Sequence, residues 1–334
     1  MMRAWLLDEV GSIAKMRLAE APDPVAGAGE VVLDVEFAAL NPADRYLAEG
    51  QYPAKPTFPH ILGRDGMGTV AAVGAGVTGV KVGDRRLLLR SEAGVNRPGT
   101  FAERVSVPAD WLVTPPEGWS AEQSAGAPLV YLTAHQALGM WGELPPGVVL
   151  VTGASGGVGV ACVQLAKARL HTVIAMSRNA EKSKTLLKLG ADLVVDPADG
   201  QWRKRVKEFL KPRRVDLAVD NIGGELFSQV LDTLGDQGKM SCVGRLAGSV
   251  PEFNTASLFF RRIRIGGVAI AGYTAAQARA AWGEALALMK EVGAEPQVDS
   301  VWEFERLKEA FEKLREGPMG KVVVRVGRQE GDSR

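Results

Sequence analysis

The sequence predicts an α/β protein of two parts, a small β-barrel domain and a doubly wound parallel sheet of six strands. Three observations carry that prediction. Residues 1 to about 120 give short apolar runs broken by Gly, Pro and Asp, as in "EVVLDVEFAAL" and "GTVAAVGAGVTGVKVGDRRLLL", the pattern of strands joined by tight turns. From Val148 onward strand and helix signals alternate strictly, which calls for parallel strands with crossover helices. A length of 334 residues exceeds one ordinary domain and leaves apolar material for two cores.

In chain order, "GTFAERVSVPADWLVTPP" completes the strand-and-turn region and "VTPPEGWS" closes it. The stretch "EQSAGAPLVYLTAHQALGMWG" then has the length and composition of helices leading to Val148. Strands are predicted at 148–152, 172–176, 193–195, 215–219, 238–243 and 264–271, with helices near 157–169, 180–189, 201–210, 225–234 and 255–261. Within the first of these helices Val158, Cys162, Leu165, Ala166 and Arg169 recur at helical spacing, so one face packs on the sheet and Cys162 reads as core. Past Tyr273 come a long helix, "AAQARAAWGEALALMKEV", a strand, a second helix, "FERLKEAFEKLREG", and a final strand in "GKVVVRVG". The polar "RQEGDSR" reads as a frayed tail.

Composition narrows the function. Forty Lys and Arg against 39 Asp and Glu give no global field for nucleic acid or acidic lipid, so neither is an expected partner. The start, "MMRAWLLDEVG", lacks the features of a signal peptide, and no apolar run approaches the length of a membrane span; the cytoplasm is the expected location. Two cysteines, Cys162 and Cys242, suit buried thiols better than a disulfide framework.

The chemistry begins at "VVLVTGASGGVGVACVQLAKA". After Gly153, the run Ala154, Ser155, Gly156, Gly157, Val158 and Gly159 is a variant of the dinucleotide (Rossmann) fingerprint, set between a predicted strand and a predicted helix. Glycines let the backbone turn tightly against a pyrophosphate, and the helix start supplies N–H donors and the positive end of a dipole. At the end of the second strand, where an acidic residue would accept from the ribose of NAD, the chain has Ser177 and Arg178, with Lys182 and Lys184 beyond. A hydroxyl and cations suit a 2′-phosphate, so NADP(H) is the expected cofactor. The alternative for the same residues is a capped helix with solvated cations.

The segments "ALNPADRYLAEGQYP", "HILGRDGMGTVAAVGAGVTGVKVGDR", "GTFAERVSVPA", "LTAHQAL", "VLVTGASGGVG", "LGAD", "VDLAVDNIGG", "GKMSCVG" and "GKVVVRV" follow one another across nearly the full length. In these segments and their order the chain resembles a zinc-free member of the medium-chain dehydrogenase/reductase superfamily, near the quinone oxidoreductases. The resemblance implies a GroES-like domain at 1–124, an inserted NADP-binding Rossmann domain at 125–271 and a return to the first domain at 272–334. It also explains why the glycine turn comes so late in the chain.

The departures from the zinc-dependent relatives are informative. Asn41 stands where those enzymes carry a metal-binding cysteine, Arg64-Asp65 where they carry His-Glu, and "LRSEAGVNRPGTF" has no counterpart of their structural-zinc cysteines. Arginine is not a metal ligand, and His60, His135 and His171 are scattered, so no metal is expected. Asp65 is expected to pair with a neighbouring cation, Arg64 among the candidates, and to hold the former metal pocket together. Without a Lewis acid an alkoxide is hard to stabilise, whereas a quinone or enone delocalises the charge onto a distant oxygen.

The resemblance therefore implies NADPH-dependent reduction of a quinone or α,β-unsaturated carbonyl. Its barrel-side residues are Tyr46, first choice to orient or protonate the substrate, with Asn41, Asp44 and Tyr52. Thr133, Asn221, Val243, Gly244, Arg245 and Lys321 are implied along the cofactor. The alternatives are an enoyl-thioester reductase acting on a CoA or carrier-protein substrate, and a non-catalytic NADPH-binding protein. Strand 264–271, "RIGGVAIA", is apolar and glycine-rich with a bare outer edge, and is expected to pair with a second copy in a homodimer. The cluster Arg261, Arg262 and Arg264 reads as a solvated helix end, or else as a site for a second phosphate-bearing ligand.

Overall fold

The computed structural model describes residues 1–89, 92–248 and 250–327. The tail "RQEGDSR" lies outside them. The chain divides into two compact units, Met1–Leu129 with Tyr273–Arg279 and Pro296–Arg334, and Val130–Gly272 with Ala280–Glu295.

In the first unit strand Glu30–Ala39 is the hub. It pairs antiparallel with Asp65–Val73, with Arg104–Pro108 and with the late strand Lys321–Arg325, whose Val323 lies opposite Ala39. A chain of valines, "KVVVR", fits there because Val322, Val323 and Val324 are all buried. The return of the chain to this sheet is thus sealed by backbone pairing. Strands Arg85–Leu88, Leu112–Val113 and Val298–Glu303 complete a seven-stranded sheet, beside a three-stranded one of Arg17–Ala21, Met2–Leu7 and His60–Ile61. Their shared core includes Trp5, Leu33, Phe101, Phe304 and Phe311.

The second unit is a six-stranded sheet, every pairing of which is parallel. In space the order is Leu193–Val195, Thr172–Met176, Val148–Val151, Val215–Asp220, Leu234–Cys242, Arg264–Gly267. The direction of winding reverses between Val148–Val151 and Val215–Asp220, the switch point where doubly wound sheets open a crevice at their carboxyl ends. The crossover helices are Gly157–Ala168, Ala180–Lys188, Trp202–Leu210, Glu225–Leu231 and Ala256–Arg261. Cys162 is fully buried on the first of them.

Three details differ from the sequence reading. The sixth strand stops at Gly267 rather than 271, because its last partner is Cys242, after which the neighbouring strand turns away and Val243 N–H bonds the Asp220 carbonyl at 2.8 Å. The fifth strand begins at Leu234, which pairs with Val215 ahead of an irregularity that holds Gln237 at positive φ. Residues 280–295 cluster with the parallel sheet rather than with the barrel segments. There Trp282, Ala285 and Met289 are buried, Glu284 lies 2.9 Å from His135, and the Glu295 carbonyl accepts from Gln164 at 3.0 Å. Among the described residues no helix is long and apolar enough to cross a membrane.

Candidate active site

The second unit carries a cradle built on the switch point. Strand Val148–Val151 ends in Thr152, and Gly153 adopts φ +55°, reversing the chain before helix Gly157–Ala168. A side chain at Gly159 would lie 2.3 Å from the Gly153 carbonyl, so only glycine lets the helix start sit this close to the turn. Gly156 occupies the N-cap, and among the described residues no side chain is bonded to the first N–H groups, which leaves these donors to an anion.

Next to this turn Thr152 Oγ donates to Asp220 at 2.8 Å, and Asn221 donates through its backbone to Thr152 Oγ at 2.9 Å and through Nδ2 to the Thr152 carbonyl at 2.8 Å. Asp220 is buried and also accepts from the Gly223 N–H at 3.1 Å. The side-chain amide of Asn221 is thereby fixed with Oδ1 buried and, among the described residues, without a hydrogen-bond partner. An orphaned acceptor at a sheet crevice fits a ligand that brings its own donor, as a ribose hydroxyl or a carboxamide does. Val243 and Gly244 pass beside it, both donating to the Asp220 carbonyl, and Arg245 follows in the same turn. Thr152 and Asp220 were not singled out from the sequence; their signal is only their position in "VLVTGASG" and "VDLAVDNIGG".

At the end of the second strand Ser177 is buried, and Asn179 caps helix Ala180–Lys188 by accepting from the Lys182 backbone N–H at 3.0 Å. Capping is therefore the work of Asn179. Arg178 is exposed and makes no hydrogen bond or ion pair among the described residues, and Ser177 Oγ bonds only the Asn179 backbone, at 3.3 Å. Thr133 is buried on helix Ala121–Gly139.

The first unit gathers a second constellation. Asn41, at the start of helix Pro42–Ala48, donates through its backbone to Asp44 at 2.9 Å and through Nδ2 to Asp65 at 3.0 Å. Lys321 Nζ is 2.9 Å from the Leu40 carbonyl, 2.7 Å from Asn41 Oδ1 and 3.1 Å from Asp65 Oδ2. An ammonium has three protons, so Lys321 is fully engaged within this unit, although the family resemblance had assigned it to the cofactor. Asp65 pairs with Lys321 and not with Arg64, because consecutive residues at the start of a strand point to opposite faces.

Arg64 turns instead to Asp44 and Tyr52. Its Nε is 3.5 Å from Asp44 Oδ1, its Nη1 donates to the Tyr52 hydroxyl at 3.0 Å, and its Cζ lies 4.3 Å from the Tyr52 ring centre. Complete burial pushes the Asp44 carboxyl up to about 6, against the opposing attraction of Arg64. Tyr46 is half-buried with its ring against the Arg45 guanidinium at 5.2 Å. The structure thus joins Asn41, Asp44 and Tyr52 in one network, adds Arg64, Asp65 and Lys321, and sets Tyr46 under Arg45.

The remaining candidates disperse. His171 accepts from the Gly147 N–H at 3.0 Å, His135 meets Glu284, and His60 is buried. Among the described residues no group of three or more His, Cys, Asp or Glu is arranged to hold a metal. Arg261 donates to the carbonyls of Leu231, Asp232 and Leu234, and Arg262 pairs with Asp236, so neither is held open for a phosphate.

The chain is similar to known proteins along nearly its whole length. Residues 27–117 match the family model of the alcohol dehydrogenase GroES-like domain, and residues 157–291 match that of the zinc-binding dehydrogenases. Rat quinone oxidoreductase-like protein 2 is 30% identical over 91% of this chain and 87% of its own length. The acryloyl-coenzyme A reductase of Sulfurisphaera tokodaii is 29% identical over 92% of this chain and 96% of its own. Among solved structures, Escherichia coli quinone oxidoreductase complexed with NADPH superposes with a TM-score of 0.87 at 25% identity, covering 97% of this chain and 99% of that one. The likeness in sequence and fold runs along nearly the whole length, and the chain belongs to the medium-chain dehydrogenase/reductase superfamily, as an oxidoreductase of quinone oxidoreductase type.

Proposed function

We propose that the protein reduces a quinone or an α,β-unsaturated carbonyl with NADPH and without a metal. The observation that carries this reading is the cluster at the former ligand positions. There Asn41 and Asp65 bind the Lys321 ammonium, and Arg64 brings a second cation beside Asp44. Two fixed cations are poor company for a divalent ion, and Asp65, the one carboxylate able to ligate at those positions, is already paired.

NADP(H) is the cofactor, and it supplies a hydride from C4 of its nicotinamide. The glycine turn and the open N–H groups of helix Gly157–Ala168 hold the pyrophosphate, while Ser177, Arg178 and Lys182 receive the 2′-phosphate. Asn221 Oδ1 accepts from a cofactor donor; Thr133, Val243, Gly244 and Arg245 line the same path. On the substrate side Asn41 and Asp44 keep the cluster rigid, and Tyr46 and Tyr52 present hydroxyls to the acceptor's oxygen. A conjugated acceptor needs little more, because its π system carries the charge to that oxygen.

The chain works as a homodimer in this reading. Strand Arg264–Gly267 ends the parallel sheet, and Phe259, Phe260 and Ile265 close by are exposed at 64, 78 and 36%. A sheet edge flanked by large apolar side chains favours a covering copy.

A second reading, an enoyl-thioester reductase, draws support from the similarity to acryloyl-coenzyme A reductase. Oxidation of NADPH with 1,4-benzoquinone, 9,10-phenanthrenequinone, an enone and crotonyl-CoA separates the readings. Turnover with a quinone or the enone is expected. Turnover with crotonyl-CoA alone favours the thioester reductase, and stoichiometric NADPH binding with no turnover leaves a binding protein.

A further inference from the structure

Arg64 is 4% exposed, yet among the described residues only the protons on Nη1, of its five donor protons, have a hydrogen-bond acceptor, the Tyr52 hydroxyl. Its Nε and Nη2 are buried without hydrogen-bond partners among the described residues, and Nε stops 3.5 Å short of the Asp44 carboxylate. A structural arginine in such a place saturates its donors, since each unmatched buried donor costs about 1–3 kcal/mol. Here the guanidinium stacks on the ring of a half-buried tyrosine and spends its hydrogen bond on a neutral phenol.

That geometry has a chemical consequence. A phenolic oxygen that accepts from Arg64 keeps its own proton for another acceptor, and negative charge that develops on it when the proton leaves faces a fixed cation.

We propose that Arg64 is a positioning residue of the reduction, fixing Tyr52 so that the Tyr52 hydroxyl, rather than that of Tyr46, protonates the acceptor's oxygen. This inference rests on the reductase reading above. In the step, the acceptor's β-carbon gains a C–H bond from the hydride, which carries both electrons. The C=C electrons shift to form an enolate, and NADP⁺ remains. The Tyr52 O–H bond then breaks, its proton forms the O–H bond of the enol, and the enol tautomerises to the saturated ketone. The phenolate left behind regains a proton from water. For a quinone the same two transfers give the keto tautomer of the hydroquinone, which becomes the hydroquinone by losing its ring C–H proton to solvent as the other carbonyl oxygen takes up a proton.

The test compares acceptors whose reduced oxyanions rise in basicity, 1,4-benzoquinone, tetramethyl-1,4-benzoquinone and cyclohex-2-enone, on wild type, Tyr52→Phe, Arg64→Met, Arg64→Lys and Tyr52→Phe/Arg64→Met. Melting temperature and NADPH affinity by fluorescence report folding and cofactor binding separately. The expected loss of kcat in Tyr52→Phe and Arg64→Met is small for benzoquinone and grows along the series to roughly 10- to 100-fold for the most basic oxyanion that wild type turns over. Arg64→Lys recovers part of it, and the double variant is no worse than the poorer single one. Equal losses on all acceptors, or losses that multiply in the double variant, overturn the inference and leave the reductase reading standing. Tyr52→Phe keeps the ring and does not depend on whether the Arg64 variants fold; an undiminished rate in it on every acceptor overturns the inference by itself. Wild-type protein that turns over none of the acceptors overturns both.

Discussion

The Lys321 ammonium lies 3.1 Å from Asp65 Oδ2, with both side chains almost wholly buried and 256 positions apart in sequence. The pair ties strand Lys321–Arg325 to the start of strand Asp65–Val73 across the hub strand, and Asn41 bonds both partners. Such a pair is held by its geometry: removing one partner leaves a charge with nothing to balance it. Lys321→Met is therefore expected to cost about 3–5 kcal/mol, and Lys321→Met/Asp65→Leu to recover much of that loss. Urea denaturation of the two variants against wild type measures both effects. A loss below about 1 kcal/mol in Lys321→Met contradicts the role given to the pair.

Asp44 should make stability fall as pH rises. Its folded-state value, raised to about 6 by burial, exceeds the ordinary 3.8, so the native chain holds this proton more tightly than the unfolded one. The stabilising contribution is complete below about 3.8 and is lost as pH climbs through about 6. Arg64, Lys321 and Asp65 are the charged groups that face it. Relative to Asp44→Asn, which cannot titrate, wild type should lose about 3 kcal/mol between pH 4 and 7. Denaturation midpoints of both proteins at the two pH values check the sign; a difference that does not move, or moves toward wild type, contradicts it.

Arg178 is exposed and unpartnered among the described residues, beside the buried Ser177. A 2′-phosphate gives it a partner worth about 1.5–3 kcal/mol. Arg178→Ala should accordingly weaken NADPH binding by roughly tenfold or more and leave NADH binding nearly unchanged. Ser177→Asp with Arg178→Ala should reverse the preference. Fluorescence titration of both cofactors decides it, and equal losses for NADPH and NADH in Arg178→Ala would mean that the cation is merely solvated.

Because Phe259, Phe260 and Ile265 beside the terminal strand are exposed, light scattering at micromolar concentration is expected to give a dimer mass. Phe260→Asp should shift the mass toward a monomer, since a carboxylate in an apolar interface is left unpaired. A wild-type monomer mass at that concentration counts against the interface.

Much of the fold was legible because its signals are local. Alternating strand and helix patterns placed the six parallel strands to within a few residues, and the glycine turn could be read from "TGASGGVG" because it stands between a predicted strand and a predicted helix. What escaped the sequence were the long-range polar pairings. Arg64 and Asp65 are neighbours in the chain, yet the pleat sends one to Asp44 and Tyr52 and the other to Lys321, far along the sequence. The Thr152, Asp220 and Asn221 lattice was hidden for the same reason, since it joins the ends of two strands 68 and 69 residues apart. Residues 280–295 were given to the barrel by position along the chain, but their buried face is set by tertiary packing.

The central claim, hydride delivery to a conjugated carbon without a metal, has one most direct test. Chelator-treated protein, with its zinc content measured, is given NADPH deuterated at the transferred C4 position and cyclohex-2-enone, and the product is analysed by NMR. The account predicts undiminished turnover with far less than one zinc per chain, and a single deuterium on the β-carbon of cyclohexanone. Deuterium on the carbonyl carbon of an alcohol, or turnover that vanishes with the chelator and returns with added zinc, would contradict it.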